Sequence, residues 1–276
     1  MAETEGWIFG AHDRRNAAYP GRYRMPLNDR LNAVGDYSFD RLRALLGAVE
    51  PPPGVTPISL SLGEPQHAPP AFLAETIARE AAGWSKYPLV RGTDGARAAI
   101  AGWLTRRYGL PEGMVDPATM VIPVSGTREA LFMVALAAVP ERKNGRKPVV
   151  LMPNPFYQVY LGAAVTAGAE PVLVPADRQN GFLPNYAALP DDILDRTALA
   201  YYCSPANPQG AIAPMDTIRQ HVELARAHDF LLVSDECYSE LYYGDPPTGA
   251  AEACAALGDT AAGAMRNVVA MNSLSK

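Results

Sequence analysis

With 276 residues and 48% hydrophobic content, the chain can bury a sizeable core, as one large domain or two smaller ones. A formal net charge of −5 and the lack of any Lys/Arg block point away from nucleic acid as a partner, and no apolar run reaches the roughly 18 residues of a membrane span. Cys203, Cys237 and Cys254 share no C-x-x-C spacing, so they read as reduced thiols of a cytoplasmic protein rather than a disulfide framework or zinc site. The first residues, Met1-Ala2-Glu3-Thr4, lack the basic-then-apolar order of a secretory signal.

Residues 1–25 have little apolar periodicity and read as an irregular extension; Met25 opens a better patterned segment, so the start is Met1 or Met25. Residues 38–49 predict an amphipathic helix with Phe39, Leu42, Leu45, Leu46 and Val49 on one stripe, ended by Pro51-Pro52-Pro53-Gly54. Ile58-Ser59-Leu60-Ser61-Leu62 alternates like a short strand and runs into Gly63-Glu64-Pro65. From about residue 70 helices and short apolar runs alternate. Helices are expected at 71–82, 94–108, 127–139, 157–167 and 215–228. Strands are expected at Val149–Met152, Pro171–Val174, Leu199–Cys203, Phe230–Ser234 and Val268–Met271. Continuous apolar strands separated by helices predict an α/β fold with a mostly parallel sheet covered on both faces.

In open α/β sheets ligands bind beyond the carboxyl ends of the strands. The residues just past those ends are Ser204-Pro205-Ala206-Asn207-Pro208-Gln209-Gly210, then Asp235-Glu236-Cys237-Tyr238, then Ser273 and Lys276. An amide, a carboxylate, a phenol and an amine converge on one edge, and a helix starting near Thr127 aims backbone N–H groups there, as an anion site requires. This set fits pyridoxal 5'-phosphate (PLP). The amine holds the aldehyde and moves protons, a carboxylate keeps the pyridine nitrogen protonated, and a helix start with hydroxyls holds the phosphate.

These residues, in this order, resemble the fold-type I aminotransferases of the aspartate-aminotransferase superfamily. The match runs from about residue 26 to 276. The resemblance implies a three-layer α/β/α large domain at 67–276, preceded by an N-terminal arm and part of a small domain at 26–66. It implies Lys276 as the Schiff-base lysine and Asp235 as partner of the pyridine nitrogen. Tyr238 and Asn207 would contact the ring oxygen, and Tyr157 would stack on the ring. Thr127 and Arg128, with Ser273, would hold the phosphate; the pair at the helix start could shift by one residue. Tyr87 would reach the phosphate of a neighbouring subunit in a homodimer, and Gly63 would lie against the substrate carboxylate. The family's chains continue past the lysine and there supply a second phosphate arginine and a substrate-carboxylate arginine, so this chain is expected to be truncated, lacking most of its small domain. Gln209 stands where the family often has Thr.

Each signal alone has a plainer meaning. Ser-x-Ser-Lys is weak, Asp235-Glu236 could cap a turn, Asn207-Pro208 is a turn signal, and Tyr87, Tyr157 and Thr127 serve as surface, core or N-cap residues elsewhere. The ordered set outweighs them. His221 and His228, seven residues apart, read as a solvated helix face rather than a metal site, and His12 and His67 carry no pattern. The strings Asn154-Pro155-Phe156-Tyr157-Gln158 and Ser234-Asp235-Glu236-Cys237-Tyr238-Ser239-Glu240 resemble most the N-succinyldiaminopimelate aminotransferase family. That resemblance implies amino transfer between glutamate and N-succinyl-2-amino-6-oxopimelate in lysine biosynthesis. Three other readings fit the same residues: an aspartate, aromatic or other amino-acid aminotransferase, a PLP-dependent C–S lyase, and an inactive fragment.

Overall fold

The computed structural model describes residues 28–276 apart from 36, 48, 57, 59–62, 64–66 and 261–263. The extension expected at 1–25, most of the strand expected at 58–62, and Glu64-Pro65 of the turn after it lie outside the described residues. The helices are α1 (Ser38–Leu46), α2 (Ala71–Arg79), α3 (Asp94–Tyr108), α4 (Thr127–Ala138), α5 (Gln158–Thr166), α6 (Asp191–Leu194), α7 (Met215–Ala227) and α8 (Ala250–Ala256). The strands are β1 (Val149–Asn154), β2 (Glu170–Pro175), β3 (Thr197–Cys203), β4 (Leu231–Asp235) and β5 (Val268–Met271).

The five strands form one sheet in the order β2-β1-β3-β4-β5, and every pair is parallel. The chain runs outward from β1 to β2, then crosses back over β1 to start β3. This reversal makes the β1/β3 boundary a switch point, and ligands bind at the carboxyl ends of the strands beside such a point. The register Cys203↔Asp235 and Asp235↔Met271 brings the ends of β3, β4 and β5 level. Whatever leaves those three strands therefore leaves at one edge.

Alternation divides the core between the two faces of the sheet. Val150, Met152, Leu199, Tyr201 and Val233 pack with Leu131 and Ala135 of α4 and with Tyr160, Ala163 and Ala164 of α5. Val149, Leu151, Ala200, Tyr202, Leu232 and Val268 pack on the other side with α3, α7 and α8, through Ala101, Tyr108, Ile218, Val222, Ala225, Ala251 and Cys254. The result is the expected three-layer α/β/α arrangement. Each fully buried Val or Leu here contributes about 1.5–3 kcal/mol of transfer free energy. Tyr201 also donates its hydroxyl to the Leu131 carbonyl at 2.6 Å, tying β3 to α4.

Local chemistry sets the helix ends. The Thr93 side chain accepts from Ala96 N at 3.2 Å to open α3, and Gly109, at φ 59°, closes it in the left-handed region. Gly47 follows the last residue of α1, which stops at Leu46 instead of continuing to 49. The helix expected at 71–82 stops at Arg79 and tightens into a 3-10 turn, Ala81–Ser85, that contains Gly83. Helix α8 was absent from the expectation: Ala250-Ala251-Glu252-Ala253-Cys254-Ala255-Ala256 is nearly uniform in polarity and shows no stripe. Among the described residues no helix is long and apolar enough to cross a membrane.

One expectation is corrected on α7. His221 does not face solvent; it is 5% exposed and sits on the same face as Ile218, Val222 and Ala225. Its ring lies 4.6 Å from that of Tyr202 and 5.1 Å from that of Tyr186, and Nδ1 pairs with the Thr217 carbonyl at 2.7 Å. His228, at the end of the helix, meets Asp195 instead. No group of three metal-ligating side chains occurs among the described residues.

Burial disfavours the charged imidazolium and lowers the His221 pKa below its usual value. The unfolded chain then takes up the proton more readily. The stability this contributes is present above about pH 6.5 and is lost as pH falls through the folded value. Wild type is expected to lose more of its urea midpoint between about pH 7 and pH 5 than His221→Phe, in paired urea titrations; equal losses would refute this assignment.

Candidate functional site

The centre of the site is Asp235, the last residue of β4. It is only 4% exposed. Its Oδ2 accepts from the Tyr160 hydroxyl at 2.5 Å and its Oδ1 from the backbone N–H of Cys237 at 3.3 Å. Burial and the neighbouring Asp235 charge drive the Tyr160 pKa well above the usual phenol value, so this phenol stays protonated and donates. Tyr160 is fixed by stacking on Tyr201, with ring centroids 4.3 Å apart and planes 11° apart. Among the described residues no cationic side chain pairs with Asp235. A buried carboxylate with two neutral donors retains acceptor capacity for a third, positively charged one.

Helix α4 starts beside it. Thr127, its first residue, has its Oγ1 3.2 Å from the Cys237 thiol. Gly126 precedes it, and a Cβ there would run into the Glu129 carboxylate. The next residue, Arg128, donates from Nε to the Tyr157 hydroxyl at 2.8 Å. Tyr157 in turn makes an edge-on contact with Tyr160, centroids 5.9 Å apart. Thr127, Arg128, Tyr157, Tyr160, Asp235 and Cys237 thus form one connected group, built from the start of α4, the start of α5 and the end of β4.

Lys276 approaches from the end of β5. Its Nζ lies 5.6 Å from the centre of the Tyr238 ring and donates to the Gly63 carbonyl at 2.8 Å. Within the lysine segment, Ser273 Oγ donates to or accepts from Ser275 Oγ at 2.8 Å and accepts from Ser275 N at 3.0 Å, which folds Ser273–Ser275 into a tight turn. The chain has four lysines. Lys143 and Lys147 precede β1, and Lys143 pairs with Asp229, which precedes β4. Both therefore sit at the amino edge of the sheet. Lys86 follows α2 and its 3-10 turn. Lys276 alone of the four follows a strand of the sheet.

The other expected residues are less engaged. Asn207 is half-buried in the loop after β3, where Ala206 N donates to Ala211 O at 2.8 Å, and its backbone contacts the Cys203 thiol. Tyr238 is half-buried, and burial raises its pKa, with Cys203 and Asp235 adding to the effect. Tyr87 is 99% exposed, and no described contact brings it to Asp235 or Lys276. Two members of the group were missed in the sequence: Tyr160 and Cys237. The signal for Tyr160 was its spacing, three residues after Tyr157 and so on the same face of α5.

The family described as aminotransferase class I and II matches residues 55–276. Among curated proteins, the LL-diaminopimelate aminotransferase of Syntrophobacter fumaroxidans is 32% identical over 221 residues, covering 78% of this chain and 54% of that protein. That of Nitratidesulfovibrio vulgaris is 34% identical over 232 residues, covering 80% and 56%. Among solved structures, an aminotransferase from Neisseria meningitidis superposes with a TM-score of 0.82 at 33% identity, covering 90% of this chain and 61% of that one. The aminotransferase AspB from Helicobacter pylori gives 0.78 at 33% identity, covering 91% and 62%. The chain spans about half the length of the curated relatives it matches. These findings correct the resemblance to N-succinyldiaminopimelate aminotransferases. The relatives act, by name, on LL-diaminopimelate.

The thiols of this region give a direct check. Burial, then the Asp235 charge, pushes the Cys237 pKa up to about 12; burial pushes Cys254 to about 12 and Cys203 higher still. Near neutral pH the Cys237 thiolate, the reactive form, is therefore a minor species. An aromatic disulfide reagent is expected to titrate the native protein slowly and all three cysteines rapidly in denaturant. A fast-reacting thiol in the native protein would contradict this environment.

Proposed function

Because the chain belongs to the aminotransferase class I and II family, we propose that it performs the PLP-dependent transfer of an amino group between an amino acid and a 2-oxo acid. The observation that carries this reading is the buried carboxylate of Asp235, lacking a cationic partner among the described residues, at the edge of the sheet that Lys276 also occupies. The family's cofactor is PLP, and the donor set at this edge fits it. In this reading Lys276 holds the cofactor's aldehyde carbon and Asp235 faces its ring nitrogen. Tyr157 covers the ring face, and Asn207 and Tyr238 meet the ring oxygen. Thr127, Arg128 and Ser273 hold the phosphate at the start of α4, where the backbone N–H groups and helix dipole favour an anion. Tyr87, fully exposed here, is the residue offered to a second copy of the chain. Gly63, whose carbonyl already meets Lys276, lies beside the substrate carboxylate.

When bound, PLP supplies the electron sink that stabilises negative charge at the substrate α-carbon. The residues of the chain do the rest. The Lys276 amine moves the proton at that carbon, acting as general base and then as general acid. Asp235 supplies a fixed negative charge whose burial strengthens its effect, and Tyr160 and the Cys237 N–H hold it in one orientation. Tyr157, anchored by Arg128 and Tyr160, forms a rigid wall.

For the substrate we infer an amino acid with a second charged end, LL-diaminopimelate, with 2-oxoglutarate as acceptor. The amino donor in this reading is supported by the names of the curated relatives. The test is a panel of amino donors with 2-oxoglutarate. LL-diaminopimelate is expected to give the highest kcat/KM, ahead of aspartate and aromatic amino acids. Aspartate in first place would move the substrate assignment, and release of pyruvate and ammonia from cystathionine would identify a C–S lyase instead. Lys276→Ala is expected to abolish both turnover and the visible absorbance of the lysine-linked cofactor. Asp235→Ala should cost about 10²-fold or more in kcat, as removal of a charge-stabilising group does. An intact visible band in Lys276→Ala would sink the assignment.

A further inference from the structure

Next to Asp235 stands a second buried carboxylate that the proposed chemistry does not use. Glu236 is 1% exposed. Consecutive residues at a strand end point to opposite faces. Asp235 accordingly meets Tyr160 of α5, whereas Glu236 enters the layer of α3 and α8. Its Oε1 accepts from Ser234 Oγ at 2.9 Å and from the backbone N–H of Ala250, the first residue of α8, at 2.8 Å. Its Oε2 accepts from the Tyr108 hydroxyl at 2.7 Å and from Asn272 Nδ2 at 3.3 Å. An ionised carboxylate has about four lone-pair positions, and all four are taken. Gly249 makes room for the arrangement: a Cβ there would stand 2.5 Å from Tyr108 Cε1.

One of these four partners is unlike the others. Ser234, Tyr108 and Ala250 belong to β4, α3 and α8, elements already packed in the core. Asn272 is the first residue after β5 and opens the segment that ends in Lys276. The backbone repeats the link, since Glu236 N donates to the Met271 carbonyl at 2.9 Å. Glu236 therefore grips the root of the lysine segment twice, once through its main chain and once through its side chain. It does so one residue away from Asp235.

We propose that Glu236 is a positioning residue: by holding Asn272, it fixes the root of the Lys276 segment against Asp235, so that amine and carboxylate keep one separation. The proposal rests on the assignment of Lys276 and Asp235 to a PLP site. Burial raises the Glu236 carboxyl while its four donors oppose the rise. Removing any of its partners leaves a buried acceptor unsatisfied, which is why the group behaves as a unit.

The test compares Asn272→Ala and two Glu236 variants with wild type, all loaded with PLP. Asn272→Ala removes the arm that reaches the lysine segment, with the long 3.5 Å contact of Asn272 Nδ2 to the Tyr108 hydroxyl, and leaves Tyr108, Ser234 and Ala250 on Glu236. Backbone hydrogen exchange across Ser273–Lys276 is expected to rise about tenfold, as local opening becomes easier. kcat is expected to fall about tenfold with KM unchanged, because the loss is one of orientation. The pH midpoint of the visible absorbance should shift, because the distance between amine and carboxylate sets it. Glu236→Gln keeps the Ser234 and Ala250 contacts on its amide oxygen, and keeps the other two once the Asn272 amide turns and the Tyr108 hydroxyl accepts instead of donating, so it should retain more of the wild-type behaviour than Glu236→Leu. Exchange, kcat and pH midpoint all at wild-type values in Asn272→Ala would overturn the proposal, as would a fall in melting temperature with these three unchanged. If wild type itself never develops the visible band, the PLP assignment has failed, and the exchange comparison still decides whether Glu236 holds the segment.

Discussion

A carboxylate buried at the end of a strand must be compensated, because taking an isolated charge out of water costs several kcal/mol. Asp235 is in this position, and much of the surrounding structure answers it. Tyr160 donates to one oxygen, the Cys237 backbone to the other, and the rings of Tyr201 and Tyr157 hold Tyr160 in place. Two neutral donors reduce the cost without cancelling the charge. The remaining negative potential sits at the edge of the sheet where the Lys276 segment and the start of α4 also lie. A ligand with a protonated ring nitrogen at one end and a phosphate at the other satisfies both poles.

The sheet makes this convergence possible. All neighbouring strands are parallel, so their carboxyl ends lie on one edge, and the order β2-β1-β3-β4-β5 puts the switch point between β1 and β3. The two faces then take different tasks. The face covered by α4 and α5 supplies the phenols and the helix start that touch the site. The face covered by α3, α7 and α8 supplies Tyr108, Ala250 and the buried Glu236 network behind it. Adjacent residues, Asp235 at the end of β4 and Glu236 just past it, connect the two.

Much of this was legible in the sequence, for physical reasons. Val149–Met152 and Leu199–Cys203 are buried on both sides, so they read as continuous apolar runs. Helix α3 was placed correctly at both ends, where the Thr93 cap and left-handed Gly109 mark them. Asp235, Tyr157 and Thr127 were singled out because each stands at the end of a strand or the start of a helix, and Lys276 because it follows the last strand. Helix α8 was missed because an alanine-rich segment shows no contrast between its faces. His221 was misplaced because a polar residue among apolar ones at helical spacing looks like surface until Tyr186 and Tyr202 are seen to enclose it. The substrate was misjudged for a different reason. In the proposed reading the strings around Asp235 and Tyr157 serve the cofactor, which many aminotransferases share, and such strings say little about the far end of a substrate.

The central claim is that Lys276, at the Asp235 edge of the sheet, is the residue that holds PLP. Incubation with PLP, reduction with borohydride and mass mapping of the peptides tests it most directly, since reduction makes the lysine link permanent. The account predicts the cofactor's mass on the peptide containing Lys276 and on none containing Lys86, Lys143 or Lys147. A stoichiometric label on one of those three, or no label at all, would contradict it.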